Sequence, residues 1–159
     1  MDLEEWRSTF KIEADGLLHG DTWNLEFDSS IHPEHPQPGW KEYIRKTSAR
    51  FQCSLCRRGW PSNRVMVYFH MQLEGSTGTV KVKRFRQNCK RCHNAPMVDP
   101  IVEPENITIL MKNLVKKIRI KCYNEDLDQG NYNYMKIEVK SPHEPAHCEG
   151  CIQGFCTKE

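Results

Sequence analysis

Apolar residues are sparse along this chain, and where they recur they do so with a period. From Asp2 to Ala14, Leu3, Trp6 and Phe10 fall at helical spacing, which predicts a helix ended by a turn through Asp15 and Gly16. Thr22 to Phe27 alternates instead: Trp23, Leu25 and Phe27 share one side, Asn24 and Glu26 the other, as in a half-buried strand. Ser29 to Gly39 carries three prolines, which forbid a helix interior or a central strand. This stretch is expected to link an N-terminal appendage, residues 1–39, to a core domain over residues 40–159. Trp40, Tyr43 and Ile44 predict a short helix through Thr47. Arg64 to Met71 and Thr79 to Arg86, rich in Val, Tyr and Phe, predict a hairpin closed by the loop Gly75 to Gly78. The strongest helical stripe is Ile107, Leu110, Met111, Leu114, Val115, Ile118 and Cys122, with Lys112, Lys116 and Lys117 off it. Its acidic start and basic end suit the helix dipole. Tyr134 to Lys140 alternates again and predicts a last strand. The expected class is α+β: an antiparallel, zinc-ribbon-like sheet, a long amphipathic helix packed on it, and an N-terminal helix.

The eight cysteines change the picture from a plain α+β domain to a metal-built one. Three CxxC pairs occur, in FQCSLC, NCKRC and HCEGC, and one tetrahedral ion takes only four ligands. Cys53 and Cys56 with Cys89 and Cys92 fill a first site. The predicted hairpin returns the chain on itself, so the 32 residues between Cys56 and Cys89 are no obstacle. Gly59 is expected to supply the unusual dihedrals by which the chain leaves the first knuckle. Cys148 and Cys151 need two more ligands. Cys156 follows five residues later and His143 precedes by five, so a second site closes within fourteen residues. His147 competes with His143, but it adjoins Cys148 and neighbouring residues tend to point apart. Cys122 is a further candidate, although its place on the apolar stripe reads as a buried thiol. Two zinc ions are expected. His32 and His35 have ligand spacing but no cysteine near them, and read as exposed loop residues.

Disulfides would need an oxidising compartment, whereas the start MDLEEWRSTF lacks the basic and apolar regions of a signal peptide. No stretch reaches the length of an apolar membrane span. A cytoplasmic setting follows as an expectation, and with it no role for the sequon at Asn106. CxxCH at Cys89 to His93 has the spacing of haem attachment, but the other pairs explain it better as a zinc knuckle. A hydrophobic content of 38% and a mean hydropathy of −0.73 leave a lean core, which metal binding would supplement.

Charge is segregated. Trp40 to Cys122 holds 18 Lys and Arg against 5 Asp and Glu, while the ends hold 5 against 16. The acidic ends fold back on the basic middle, or the middle meets an acidic partner. Lys81, Lys83, Arg84, Arg86, Lys90 and Arg91 cluster near Phe85, a composition suited to single-stranded nucleic acid. A solvated edge strand is the competing reading. His143, Glu144, Cys148 and Cys151 imitate a zinc deaminase only superficially. The spacing is too short, and a fully ligated metal leaves no position for water, so no enzyme is expected.

The FxCxxCxxxW first knuckle, the second pair and the ending PHExxHCExCxxGxC together resemble the receptor-transporting protein family with its three-CxxC zinc finger. The resemblance runs from Trp6 to Cys156. It implies an accessory protein that brings odorant, taste and other G-protein-coupled receptors to the cell surface. It also implies an alternative, since some members act in interferon-linked antiviral defence by engaging RNA. Many members carry a membrane anchor after the zinc domain. The sequence given shows no such segment up to Glu159, so two expectations stand side by side: a soluble form or portion of such a protein, or contact with the cytosolic face of membranes that runs through partners.

Overall fold

Thr22 to Phe27 and the two strands of the expected hairpin join one sheet in the structure, a computed structural model that describes residues 2–17, 19–32, 37–128, 130–140 and 143–153. The elements are α1 (Asp2–Ala14), β1 (Thr22–Phe27), β2 (Lys41–Gln52), β3 (Gly59–Glu74), β4 (Thr77–Arg84), α2 (Pro104–Tyr123), a 3-10 turn (Pro145–His147) and α3 (Glu149–Ile152). The strands lie in the order β1-β4-β3-β2, and the fold is α+β. The sheet is mixed, not antiparallel. β1 runs parallel to β4, from Thr22 opposite Thr77 to Phe27 opposite Val82. Its alternating pattern fixes which side chains turn inward but carries no information about strand direction.

The chain divides into two compact units. The first comprises Met1–Tyr43, Tyr68–Lys83 and Ile107–Asn133. Trp6 and Phe10 of α1 are buried, Trp6 meets Phe27 edge-on at 5.6 Å, and Arg7 Nε donates to the Leu25 carbonyl at 2.9 Å. Trp23 lies opposite Gly78, where an added Cβ would come within 2.2 Å of the indole, so the parallel pair requires glycine there. The apolar stripe of α2 is buried from Ile107 to Ile118. The helix is anchored at its end, where Tyr123 accepts from Trp23 Nε1 at 2.9 Å and donates to Asp21 at 2.6 Å. The β3–β4 connection is shorter than the expected loop. Only Gly75 and Ser76 form the turn, with Gly75 at φ +62°, the value a two-residue hairpin asks of its first central residue.

The second unit comprises Ile44–Val67, Arg84–Asn106 and Tyr134–Glu159. Its packing is organised around cysteines. One cluster joins Met66, Phe85 and Cys148, with Ile44 and Cys151 against them; another joins Cys53, Cys89 and Ala95, with Trp60 and Cys92.

Two further expectations need correction. The helix expected from Trp40 to Thr47 does not form, and Lys41 to Thr47 is the start of β2. Tyr43, Ile44 and Thr47 favour strand at least as well as helix, and pairing with β3 decides. Tyr134 to Lys140 forms no strand. Asparagine side chains, two of them buried, take the place of a neighbouring strand. In the second unit the Asn106 amide exchanges two hydrogen bonds with the backbone of Met135, and the Asn63 amide does the same with Ile137. In the first unit Asn113 treats Tyr132 likewise. Asn106, read as part of a sequon, is thus a backbone clamp.

Candidate metal centres

β2 delivers Phe51 and Gln52 to the first knuckle, where a tight turn forms because the Cys53 N–H donates to the Arg58 carbonyl at 2.8 Å and the Arg57 N–H to the Cys53 carbonyl at 3.1 Å. The residue with left-handed dihedrals is Arg57, at φ +65°, not Gly59 as expected. Gly59 already begins β3. β3 and β4 then return the chain, and the four sulfurs of Cys53, Cys56, Cys89 and Cys92 lie within 4.8 Å of one another. Cys53 and Cys92 are 3.8 Å apart, as are Cys56 and Cys89. A tetrahedron with metal–sulfur bonds of about 2.3 Å has edges of about 3.8 Å, so the cage fits zinc.

Donors surround these sulfurs. The Leu55 N–H points at Cys53 Sγ at 3.3 Å and Arg58 Nε at Cys89 Sγ at 3.4 Å. Burial pushes the Cys89 thiol up, but Arg58 and the N–H groups of Arg91 and Cys92 outweigh it and bring it down to about 6. The Cys56 backbone N–H, foremost, lowers Cys53. Cys92 moves the other way, up to about 12, first through the Cys56 side chain and then through burial. Neighbouring thiolates repel, so the cluster ionises fully only around a cation.

The third pair approaches differently. His143, Cys148 and Cys151 lie within 4.8 Å of one another, and His143 Nε2 is 3.2 Å from Cys151 Sγ. The tetrahedral edge for one imidazole and one thiolate is about 3.5 Å, so this cluster also fits zinc, a little tighter than ideal. Cys148 caps α3, its sulfur accepting from the Cys151 N–H at 3.5 Å. Cys156 lies outside the described residues. Cys122 belongs to neither cluster; it is partly buried on α2, and burial pushes its thiol up. His32 lines a separate small cavity of about 250 Å³ in the first unit, and His35 lies outside the described residues.

His147 has other work. Its Nδ1 lies 2.8 Å from Asn88 Oδ1, while the Asn88 amide nitrogen donates to the Ala95 carbonyl and the Asn88 N–H to the His147 carbonyl. This ties the third pair to the second. Gln87 joins the first: Trp60 Nε1 donates to its side-chain carbonyl at 2.8 Å, and its amide donates to Ser62. Gln87 also bridges Val98 and Cys148 through its backbone. Glu149, inside the third pair, is buried and accepts from the Arg86 backbone N–H at 2.9 Å and from its guanidinium at 3.1 and 2.9 Å. Sequence reasoning missed Gln87, Asn88 and Glu149. Only Glu149 left a signal, an acidic residue within a CxxC pair on a chain with a basic middle.

The basic stretch is largely occupied. Lys81 meets Asp28 at 3.4 Å, Arg84 meets Asp99 at 3.6 Å, Arg86 meets Glu149 at 2.9 Å and Lys90 meets Glu144 at 3.8 Å. Lys83 is buried, which corrects its expected place on a nucleic-acid surface; Arg91 is exposed. Asp28, Glu144 and Glu149 come from the acidic ends, so much of the charge segregation is consumed within the fold.

A fold of this kind, with two cysteine-rich cages on a small sheet, defines a zinc-binding domain of the three-CxxC ribbon class, and the corresponding family profile, described as a zinc-binding domain, matches residues 46–154. The chain is 35% identical to receptor-transporting protein 3 of Mus musculus over 99% of its length, and 32% identical to receptor-transporting protein 2 of Mus musculus over 95%. It is 31% identical to receptor-transporting protein 1 of Homo sapiens over 96%. The chain belongs to the receptor-transporting protein family. It spans 34% of the first of these relatives, 69% of the second and 59% of the third. No solved structure matches it. Among the described residues no helix is long and apolar enough to cross a membrane.

Proposed function

We propose that the chain is a two-zinc accessory module that promotes delivery of G-protein-coupled receptors, of the odorant and taste type, to the cell surface through protein contacts. Cys53, Cys56, Cys89 and Cys92 hold one ion; His143, Cys148, Cys151 and Cys156 hold the other. The observation that carries this reading is the pair of cages inside a zinc-binding domain whose relatives are named receptor-transporting proteins. Fully ligated zinc offers no open position to a substrate, so the metals organise a surface and catalyse nothing. The module works at the cytosolic face of membranes, where its partners hold it. An RNA-binding role draws less support, because Lys81, Arg84, Arg86 and Lys90 already face carboxylates and phosphate binding depends on available cations.

The test is surface delivery of a panel of chemosensory receptors co-expressed with this chain or its Cys89→Ser variant. Delivery that vanishes in the variant supports the reading. A folded, zinc-loaded chain that delivers no receptor and retains RNA in a salt-dependent manner overturns it in favour of RNA.

A further inference from the structure

The second unit contains a cavity of about 510 Å³ bounded by residues that adjoin all three cysteine pairs: Arg58 and Trp60 beside the first, Asn88 and Lys90 beside the second, His143 and His147 before the third. That volume falls in the range of ordinary ligand sites. Five bases line it, Arg50, Arg58, Arg64, Lys90 and Lys140, against the acids Glu138 and Glu144. Each acid is matched within the cavity, Glu138 with Lys140 at 3.7 Å and Glu144 with Lys90 at 3.8 Å. Arg58 is directed at the Cys89 sulfur, where it offsets the negative charge of a thiolate cage. The surplus is therefore Arg50 and Arg64. Arg50 reaches Glu103 only at 4.0 Å, with both side chains more than half exposed, a contact solvent screens strongly.

We propose that this cavity docks an acidic peptide segment of the protein partner, whose carboxylates pair with Arg50 and Arg64; this rests on the reading of the chain as an accessory to a protein. Guanidinium forks match carboxylates in two parallel hydrogen bonds. The backbone of Glu138 to Lys140 borders the same space and has no backbone hydrogen-bond partner among the described residues, so it can bond to a peptide chain. RNA fits less well. Single strands are held by stacking bases on open aromatic faces, whereas Trp60 has Phe51 stacked at 5.5 Å and the Arg58 guanidinium 4.7 Å from its ring centroid. His143 of the second cluster lines the cavity, as do Arg58, Asn88 and Lys90, which adjoin cysteines of the first in the chain, so the cavity's shape is expected to depend on both clusters.

A fluorescein-labelled octaglutamate peptide, titrated with the zinc-loaded chain at low ionic strength, tests the proposal by anisotropy. The expected result is saturable binding, weakened about tenfold or more by Arg50→Glu/Arg64→Glu with zinc content unchanged. Lys11→Glu/Lys121→Glu, an equal charge change at exposed sites of the first unit, should leave it nearly intact. Arg50→Gln/Arg64→Gln serves if the reversed variant misfolds, and should also weaken binding. No binding, equal loss in the control variant, or displacement of the peptide by a uridine dodecamer at lower concentration would overturn the proposal. Peptide binding without receptor delivery defeats the trafficking reading alone. Receptor delivery without peptide binding defeats the cavity assignment alone.

Discussion

The two candidate metal cages of the second unit are assembled by opposite routes. The first gathers its four sulfurs from two knuckles separated by the whole β3–β4 hairpin, and buries Cys53 and Cys89 to 1% exposure. The second takes its described ligands from nine consecutive residues, organised by a 3-10 turn and the single turn of α3. A long-range cage closes a large loop and so makes the fold around it depend on the metal. A local cage closes little chain and must itself be held in place. Here the holding is done by Glu149 on Arg86 and by Asn88 on His147.

The largest effect should follow loss of the first cage. Structural zinc contributes on the order of 10–16 kcal/mol of apparent binding free energy, comparable to the roughly 5–15 kcal/mol that stabilises a whole domain. Cys89→Ser is expected to lose one zinc by native mass spectrometry and to abolish cooperative melting of the second unit by circular dichroism. A variant that melts as the parent does would remove the contrast between the cages.

His143→Ala should be smaller in reach. It is expected to release one zinc while the first stays bound, whereas His147→Ala should keep both and cost only about 1 kcal/mol, the worth of its bond to Asn88. Release from the second variant and not the first would exchange the two histidines' roles.

Arg58→Met sharpens the electrostatic side. Partners that hydrogen-bond a metal ligand are worth about 10–100-fold in affinity, and the loss should fall on the first cage only. The pH dependence has a definite sign. Cys89 stands at about 6 against an ordinary thiol value of 9.0, so its ionised form stabilises the fold fully above the ordinary value, and that contribution is lost as pH falls through about 6. Removing the guanidinium lifts the thiol, and zinc release on acidification should begin at higher pH. An unchanged release curve would show that the N–H groups of Arg91 and Cys92 suffice.

Glu149→Gln is the mildest test. It leaves the Arg86 guanidinium without its carboxylate and should cost about 1–2 kcal/mol. The loss should appear as weaker zinc at the second cage with the first intact.

Much of this molecule is written in local pattern. Helical spacing in α1 and α2 and alternation in β1 were legible because periodic burial is a property of a single element. That Cys53, Cys56, Cys89 and Cys92 gather, and that His143 lies beside Cys148 and Cys151, was legible because CxxC spacing is a property of a single turn, and a hairpin between two such turns brings them together. What the sequence could not determine depends on groups far apart in the chain. β1 found its direction by pairing with β4, and Lys41 to Thr47 became strand by pairing with β3. Tyr134 to Lys140 reads as a strand yet forms none, since amide side chains of Asn63 and Asn106 satisfy Ile137 and Met135 as a partner strand would. The fate of the basic residues is the clearest case. Sequence by itself established that the chain has a basic middle and acidic ends; only the tertiary structure decided which charges meet, because an ion pair requires proximity in space, and that is set by packing.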